Sequence, residues 1–119
     1  MASEIYHGSD DPAVVKRACQ EKGVSVNAVY SGWPLLVFAT CHNRRRQAEE
    51  LLRQGANVDL QTGNGASALF VAAEKGFVTV VELLLRNGAN VDLPKSNGAT
   101  PLFMAAQEGR LDVVAKLIE

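Results

Sequence analysis

The chain has 119 residues, of which 47% are hydrophobic and 21% are charged, and its formal net charge is −1. This length and composition favour one folded domain over disorder, and the balanced charge gives no electrostatic reason to expect nucleic acid or an anionic membrane as the main partner. Two cysteines are too few for a disulfide framework, and neither a signal peptide nor an apolar run long enough to span a bilayer is present. We therefore expect a cytoplasmic or nuclear protein without direct membrane binding.

The N-terminal part of the chain predicts a tail followed by one helix. We expect residues 1–10 to form a flexible tail. Asp11 and Pro12 suit a helix cap and first turn, and an apolar face follows before Gly23 and the sequence VSVN. We interpret residues 11–27 as a degenerate half-repeat that caps the N-terminal end of the repeats that follow.

The rest of the chain recurs with a period of 33 residues. RQGANVDL at 53–60 returns as RNGANVDL at 86–93, and GASALFVAAEKGFVTVVELLLR at 65–86 returns as GATPLFMAAQEGRLDVVAKLIE at 98–119. Such self-similarity is the signature of a repeat architecture. We define a first unit (28–60), a second unit (61–93) and a third unit (94–119), of which the third stops inside its last helix.

Each unit predicts two helices joined by a tight turn. Ser67 and Thr100 offer N-cap hydroxyls for a first helix, and Pro101 suits the first helical position. Gly76 and Gly109 then allow a tight break before a second, longer helix, whose apolar residues recur at three- and four-residue spacing. Polar segments rich in glycine and asparagine carry the chain through an extended turn to the next unit.

A period of 33 residues with two helices and a turn, built around T-P-L-x-x-A-A, resembles the ankyrin repeat. The resemblance implies an all-α solenoid of stacked helix–turn–helix units with short β-hairpin-like turns. Phe70 and Phe103 replace the family's usual histidine, and we expect a bulkier apolar contact to substitute for its hydrogen bond. We assign Phe38, Phe70, Phe103 and Met104 to the core because they recur with the repeat.

The stretch GWPLLVFATCHNRRR at 32–46 is the one most easily mistaken for a reaction centre. Pro34 comes one position early, which leaves the start of the first unit's helix uncertain. Asn43 falls where the other units have glycine, so the CHN segment has a structural explanation as a left-handed turn. Cys41 and His42 point in different directions on a helix and have no identifiable orienting residue, so we expect neither metal binding nor catalysis there.

Three consecutive arginines follow this turn. Arg45 stands where the other units have apolar residues. One interpretation is a solvated face on which the Arg45 stem covers the neighbouring unit and pairs loosely with Glu49 and Glu50. Another is a local basic patch for an acidic partner or a phosphate. Nucleic acid is the least favoured, because no interleaved aromatics or repeated basic stripe accompanies the arginines.

Trp33 stands in the turn where the later units have Ala66 and Ala99, and Tyr30 lies close to it in sequence. The sequence leaves open whether Trp33 packs against the N-terminal half-repeat or is exposed. If it is exposed, the Trp–Tyr pair beside the CHN segment is expected to be the energetic centre of an interface.

The resemblance implies a protein-binding module with no cofactor or metal, which binds a protein or peptide in a concave groove formed by turn tips and first helices. Carried onto this chain, the groove residues are Tyr30, Ser31, Trp33, Cys41, His42, Gly63, Asn64, Ala66, Glu74, Lys75, Ser96, Asn97, Ala99, Gln107 and Glu108. We do not expect an enzyme, since no Gly-rich phosphate loop, Ser-His-Asp set or paired carboxylates are visible.

Two roles are compatible with such a module. It is either the N-terminal scaffold or adaptor part of a larger protein, or a stand-alone inhibitor that blocks the face of an enzyme. The third unit stops at LIE, without a polar outer helix to cover Leu117 and Ile118. We therefore favour the first role, expect further sequence after Glu119, and expect the C-terminal face to fray or to self-associate.

Overall fold

The computed structural model describes residues 10–119, apart from the side chain of Tyr30. The expected flexible tail over residues 1–10 therefore lies outside the described residues, except for Asp10. Within the described range the chain is mostly helical and shows little strand.

The described residues contain seven helices and one short pair of strands. The helices are α1 (Pro12–Gln20), α2 (Leu35–Cys41), α3 (Arg45–Arg53), α4 (Ala68–Lys75), α5 (Val78–Arg86), α6 (Pro101–Gln107) and α7 (Leu111–Leu117). Strands β1 (Val29–Tyr30) and β2 (Trp33–Pro34) pair antiparallel, with Val29 opposite Pro34 and Tyr30 opposite Trp33.

The helices begin where short polar side chains satisfy free backbone N–H groups. Asp11 accepts a hydrogen bond from the Ala13 N–H at 2.9 Å and caps α1. Ser67 accepts from the Phe70 N–H at 3.2 Å, and Thr100 does the same one unit later. These caps confirm the predicted helix starts. At the equivalent position of the first unit stands Pro34, and α2 begins after it without a side-chain cap.

The turns inside the units depend on left-handed residues. Gly76 has φ of 76° and Gly109 has φ of 71°, and Asn43 adopts the same conformation with φ of 55°. The interpretation of the CHN segment as a left-handed turn is therefore confirmed.

The helices pack in two rows. Helices α2, α4 and α6 form the inner row, in which α4 packs on both α2 and α6, and each helix packs on the outer helix of its own unit. Helices α1, α3, α5 and α7 form the outer row, in which α1 packs on α3. The stack measures 41 × 25 × 22 Å. The predicted all-α solenoid is confirmed, while the exact unit boundaries stay a prediction.

The core runs between the two rows as a continuous line of buried apolar side chains. Leu51 and Leu84 hold the same position in successive units and are fully buried. The junction between α1 and α3 is more polar, because Gln47 and Glu50 are buried there. Asp10 accepts hydrogen bonds from the N–H groups of Arg46 at 3.2 Å and Gln47 at 2.8 Å, and so caps α3 from the preceding segment.

The assignment of all four recurring apolar residues to the core needs a correction. Phe70 is 2% exposed, which confirms the expected apolar contact in place of the family's histidine. Phe103, however, is 56% exposed, because none of the helices described over residues 10–119 packs on α6 in the way that α6 packs on α4. Leu111 and Ile118 are exposed on the third unit as well. Self-association through this face stays a prediction.

Candidate functional groove

Hydrogen bonds join the turns of the second and third units, on the side of the stack where the resemblance places the groove. The Ser96 N–H donates to the Asn64 carbonyl at 3.0 Å, and the Gln61 side-chain amide donates to the Pro94 carbonyl at 3.2 Å. Backbone groups of successive turns therefore hold one another in place.

Gly65 allows these two turns to come into contact. Its φ is 88°, and a Cβ atom at this position would lie 2.7 Å from the backbone nitrogen of Ser96. A side chain cannot be accommodated there unless the turn of the third unit moves. The equivalent Gly98 also has a positive φ but open space around it.

A cleft of about 340 Å³ opens in the groove between the first and second units. Trp33 lines one side and is 39% exposed, so the question that the sequence left open is answered in favour of exposure. The lining residues come from the turns of all three units and from α4: Gly32, Trp33, Thr62, Gly63, Asn64, Ala66, Phe70, Val71, Glu74 and Lys95.

The predicted groove residues differ in their exposure. Those with exposed side chains are Ser31, Trp33, His42, Asn64, Lys75, Ser96, Asn97, Gln107 and Glu108. Cys41, Glu74 and Ala99 are half-buried, and Ala66 is buried although it lines the cleft. The side chain of Tyr30 lies outside the described residues. Asn97 and Ala99 line a separate cavity of about 290 Å³ beside Phe103.

The comparison with known families agrees with this architecture. A family model for ankyrin repeats, in three copies, matches residues 36–119, which is most of the chain. The chain belongs to the ankyrin-repeat family. Ankyrin repeats are in general protein–protein interaction modules and are typically not enzymes. The matched range begins inside α2, so Trp33 and the turn that carries it precede it.

Five cleft residues were not predicted for the ankyrin groove, and one of them is Gly32 in the turn of the first unit. Thr62 and Lys95 hold the same turn position in the second and third units, and the period of 33 residues was the signal that could have placed both beside Asn64. Phe70 and Val71 are buried in α4, and Phe70 was assigned to the core, although both border the cleft. A residue of an inner ankyrin helix can serve both roles, because the core and the groove lie on adjacent faces of the same helix.

His42 of the Cys-His pair lies in a cluster with Phe38 and Arg44. The ring of His42 lies 4.4 Å from that of Phe38, and the Arg44 guanidinium lies 5.3 Å from the Phe38 ring centroid. Among residues 10–119, no three histidine, cysteine or acidic side chains come close enough together to hold a metal ion. At this ankyrin turn the Phe38 ring therefore packs with both a cation and a second ring.

The other cysteine lies at the junction of α1 and α3. Burial raises the pKa of the Cys19 thiol above its usual value, and the Glu50 carboxylate raises the pKa further. The thiol is therefore protonated at neutral pH. This is the opposite of the shift that activates a cysteine nucleophile.

The arginines that follow the ankyrin turn of the first unit lie at the surface. Arg45 and Arg46 are exposed. The Glu50 carboxylate, one of the partners predicted for Arg45, instead accepts from Gln54 at 2.7 Å and pairs with Arg53 at 3.4 Å.

In the part of the chain that the structure describes, no helix is both long and apolar enough to cross a membrane.

Proposed function

We propose that the concave groove of this chain binds a segment of another protein, and that the chain acts as a scaffold or adaptor that recruits this protein. The observation that carries the proposal is the cleft beside Trp33. It combines an exposed aromatic side chain with a preformed apolar floor on α4. Tryptophan is among the residues that contribute most to binding energy when an interface covers them.

The rest of the groove supports this proposal through its polar surface. Asn64, Lys75, Ser96, Gln107 and Glu108 are exposed along the turns and inner helices. Asn64 lines the cleft, and the other four provide donors and acceptors elsewhere on the same turns and inner helices. A polar surface beside an apolar centre is the usual arrangement of a protein interface. The hydrogen bonds between turns reduce the ordering that binding would require.

Site-specific photo-crosslinking in cells tests which face of the chain is bound. A photoreactive residue is introduced at Lys75 or Gln107 on the inner row, and as a matched control at Thr79 or Arg86 on the outer helix α5; all four side chains are exposed. We expect discrete protein adducts at the inner positions and few at the outer ones. Adducts confined to the outer positions would contradict the proposal.

Substitution of the aromatic pair tests where in the groove the partner docks. Trp33→Ala together with Tyr30→Ala is expected to weaken binding of a crosslinked partner by about tenfold or more, because a covered tryptophan is worth at least about 1.4 kcal/mol. Thr79→Ala on the outer face is the control and should leave the Kd unchanged. Unchanged affinity in the double variant would place the docking site elsewhere.

A further inference from the structure

The cleft has an apolar floor and an aromatic wall. The floor consists of Phe70, Val71 and Ala66, which are buried in or beside α4, and the wall is Trp33 in the turn of the first unit. The later units carry alanine at the position of Trp33, so this wall occurs once along the groove. A bulky apolar side chain that entered the cleft would lose contact with water on several sides.

One end of the cleft is positively charged. The Lys95 Nζ lies 5.2 Å from the centroid of the Phe70 ring. Phe70 lies in the first turn of α4, and the aligned peptide dipoles of a helix give its N-terminal end a partial positive charge. The lysine and the helix end therefore act with the same sign on a group bound beside Phe70.

The opposite end of the cleft carries the side chain of Glu74. Glu74 follows Phe70 by one helical turn, about 6 Å along the axis of α4. The Arg110 Nε donates to the backbone carbonyl of Glu74 at 3.1 Å, which brings a cation to the same end. Charges of both signs therefore lie at this end, whereas the charge of Lys95 adds to that of the helix end at the other.

We propose that the cleft binds a partner segment in which a bulky apolar side chain packs between Trp33 and Phe70 and a neighbouring acidic side chain pairs with Lys95. This inference rests on the proposed function, because it names the chemistry of the segment that the groove recognises. The apolar side chain supplies most of the affinity, and the acidic residue fixes the direction of the segment.

Selection from a displayed library of random short peptides tests the inference directly. Peptides that bind the wild-type chain are expected to share a bulky apolar residue with an acidic residue next to it or two positions away. Trp33→Ala should weaken a selected peptide by about tenfold or more. Lys95→Glu should change the selection, so that a basic residue replaces the acidic one.

Lys16→Glu is the matched control for the charge change. Lys16 lies on α1 in the outer row and is exposed but does not line the cleft, and its substitution changes the net charge of the chain by the same amount. This variant should select the same peptides as the wild-type chain. If Lys16→Glu changed the selection as much as Lys95→Glu does, net charge rather than the cleft would determine the preference, and the inference would be overturned.

Mapping a selected peptide by NMR separates failure of this inference from failure of the proposed function. Chemical-shift changes at the Trp33 indole and at Lys95 in the wild-type chain, with loss of the change at Lys95 in Trp33→Ala, support both. Shifts at Gln107 and Glu108 with affinity unchanged in Trp33→Ala and Lys95→Glu overturn the inference and leave groove binding intact. Shifts confined to Thr79 and Arg86 on α5 overturn both.

Discussion

Asn43 is one of two described residues other than glycine with a positive φ, the other being Ser31. It occupies the left-handed turn that glycine makes in the later units. Asparagine tolerates this conformation better than alanine does, because its short polar side chain can bond locally. We expect Asn43→Ala to lower the free energy of unfolding by about 1 kcal/mol, and Asn43→Gly to leave it unchanged or slightly raised.

Urea denaturation of the two Asn43 variants provides the measurement. The side chain is exposed, so neither variant creates a cavity. Equal destabilisation by alanine and glycine would show that a contact of the asparagine side chain, rather than the backbone conformation, is what matters at this position.

Individual residues also mark the limit of what the sequence predicted about the groove. Ser31, Asn64 and Lys75 were assigned to the surface from their place in the repeat, and they are exposed. The exposure of Trp33 could not be assigned in this way, because it depends on how closely α1 and the neighbouring turns pack around it. The contact of Lys95 with Phe70 was not predicted, because it joins residues of two different units.

At the scale of elements, the contact between turns gives the next prediction. Gly65→Ala is expected to cost more stability than Gly98→Ala, although φ is positive at both positions. In both variants alanine must adopt a left-handed backbone, which costs about 1 kcal/mol. In Gly65→Ala the new Cβ atom also meets the backbone of Lys95 and Ser96. We expect this variant to lose roughly a further 1–3 kcal/mol.

Gly32→Ala is a second control for this comparison, because Gly32 has a φ of 82° and no atoms close to an added Cβ. Thermal or urea unfolding of the three variants gives the ranking. An equal decrease in the free energy of unfolding for all three variants would show that the turn of the third unit moves away from the new Cβ atom at residue 65 without cost. In that case the bonds between turns would contribute little to the shape of the groove.

The helices themselves were largely predictable. Ser67 and Thr100 marked helix starts, and Gly76 and Gly109 marked breaks, because capping and left-handed turns depend on the residue at that position. The start of α2 was not predictable, since Pro34 replaces the capping hydroxyl. In the first unit β1 pairs with β2, and β2 ends at Pro34, directly before the first residue of α2.

For the whole molecule, the solenoid predicts that the same substitution has different effects along the stack. Leu84 is fully buried between neighbouring units, whereas the equivalent Leu117 is half-buried in the third unit. We expect Leu84→Ala to lower the free energy of unfolding by roughly 3 kcal/mol and Leu117→Ala by about 1 kcal/mol. Urea denaturation followed by circular dichroism measures both.

This comparison depends on contacts between neighbouring units. Leu51 is as buried as Leu84, so Leu51→Ala should resemble Leu84→Ala and serves as an internal control. Similar losses for Leu84→Ala and Leu117→Ala would show that the third unit is covered in solution. Sedimentation at several protein concentrations would then reveal whether a second copy covers it.

The sequence by itself determined the period of the units, the helix caps, the left-handed turns and the family, since each depends on residue types at fixed spacing. The tertiary structure decided which repeated positions are covered. Phe70 and Phe103 are the same residue in the same register, yet one is 2% and the other 56% exposed. The cleft beside Trp33 was likewise decided by packing, because its floor, wall and cation come from three different units. Burial depends on the neighbour across the stack, and a local pattern carries no information about that neighbour.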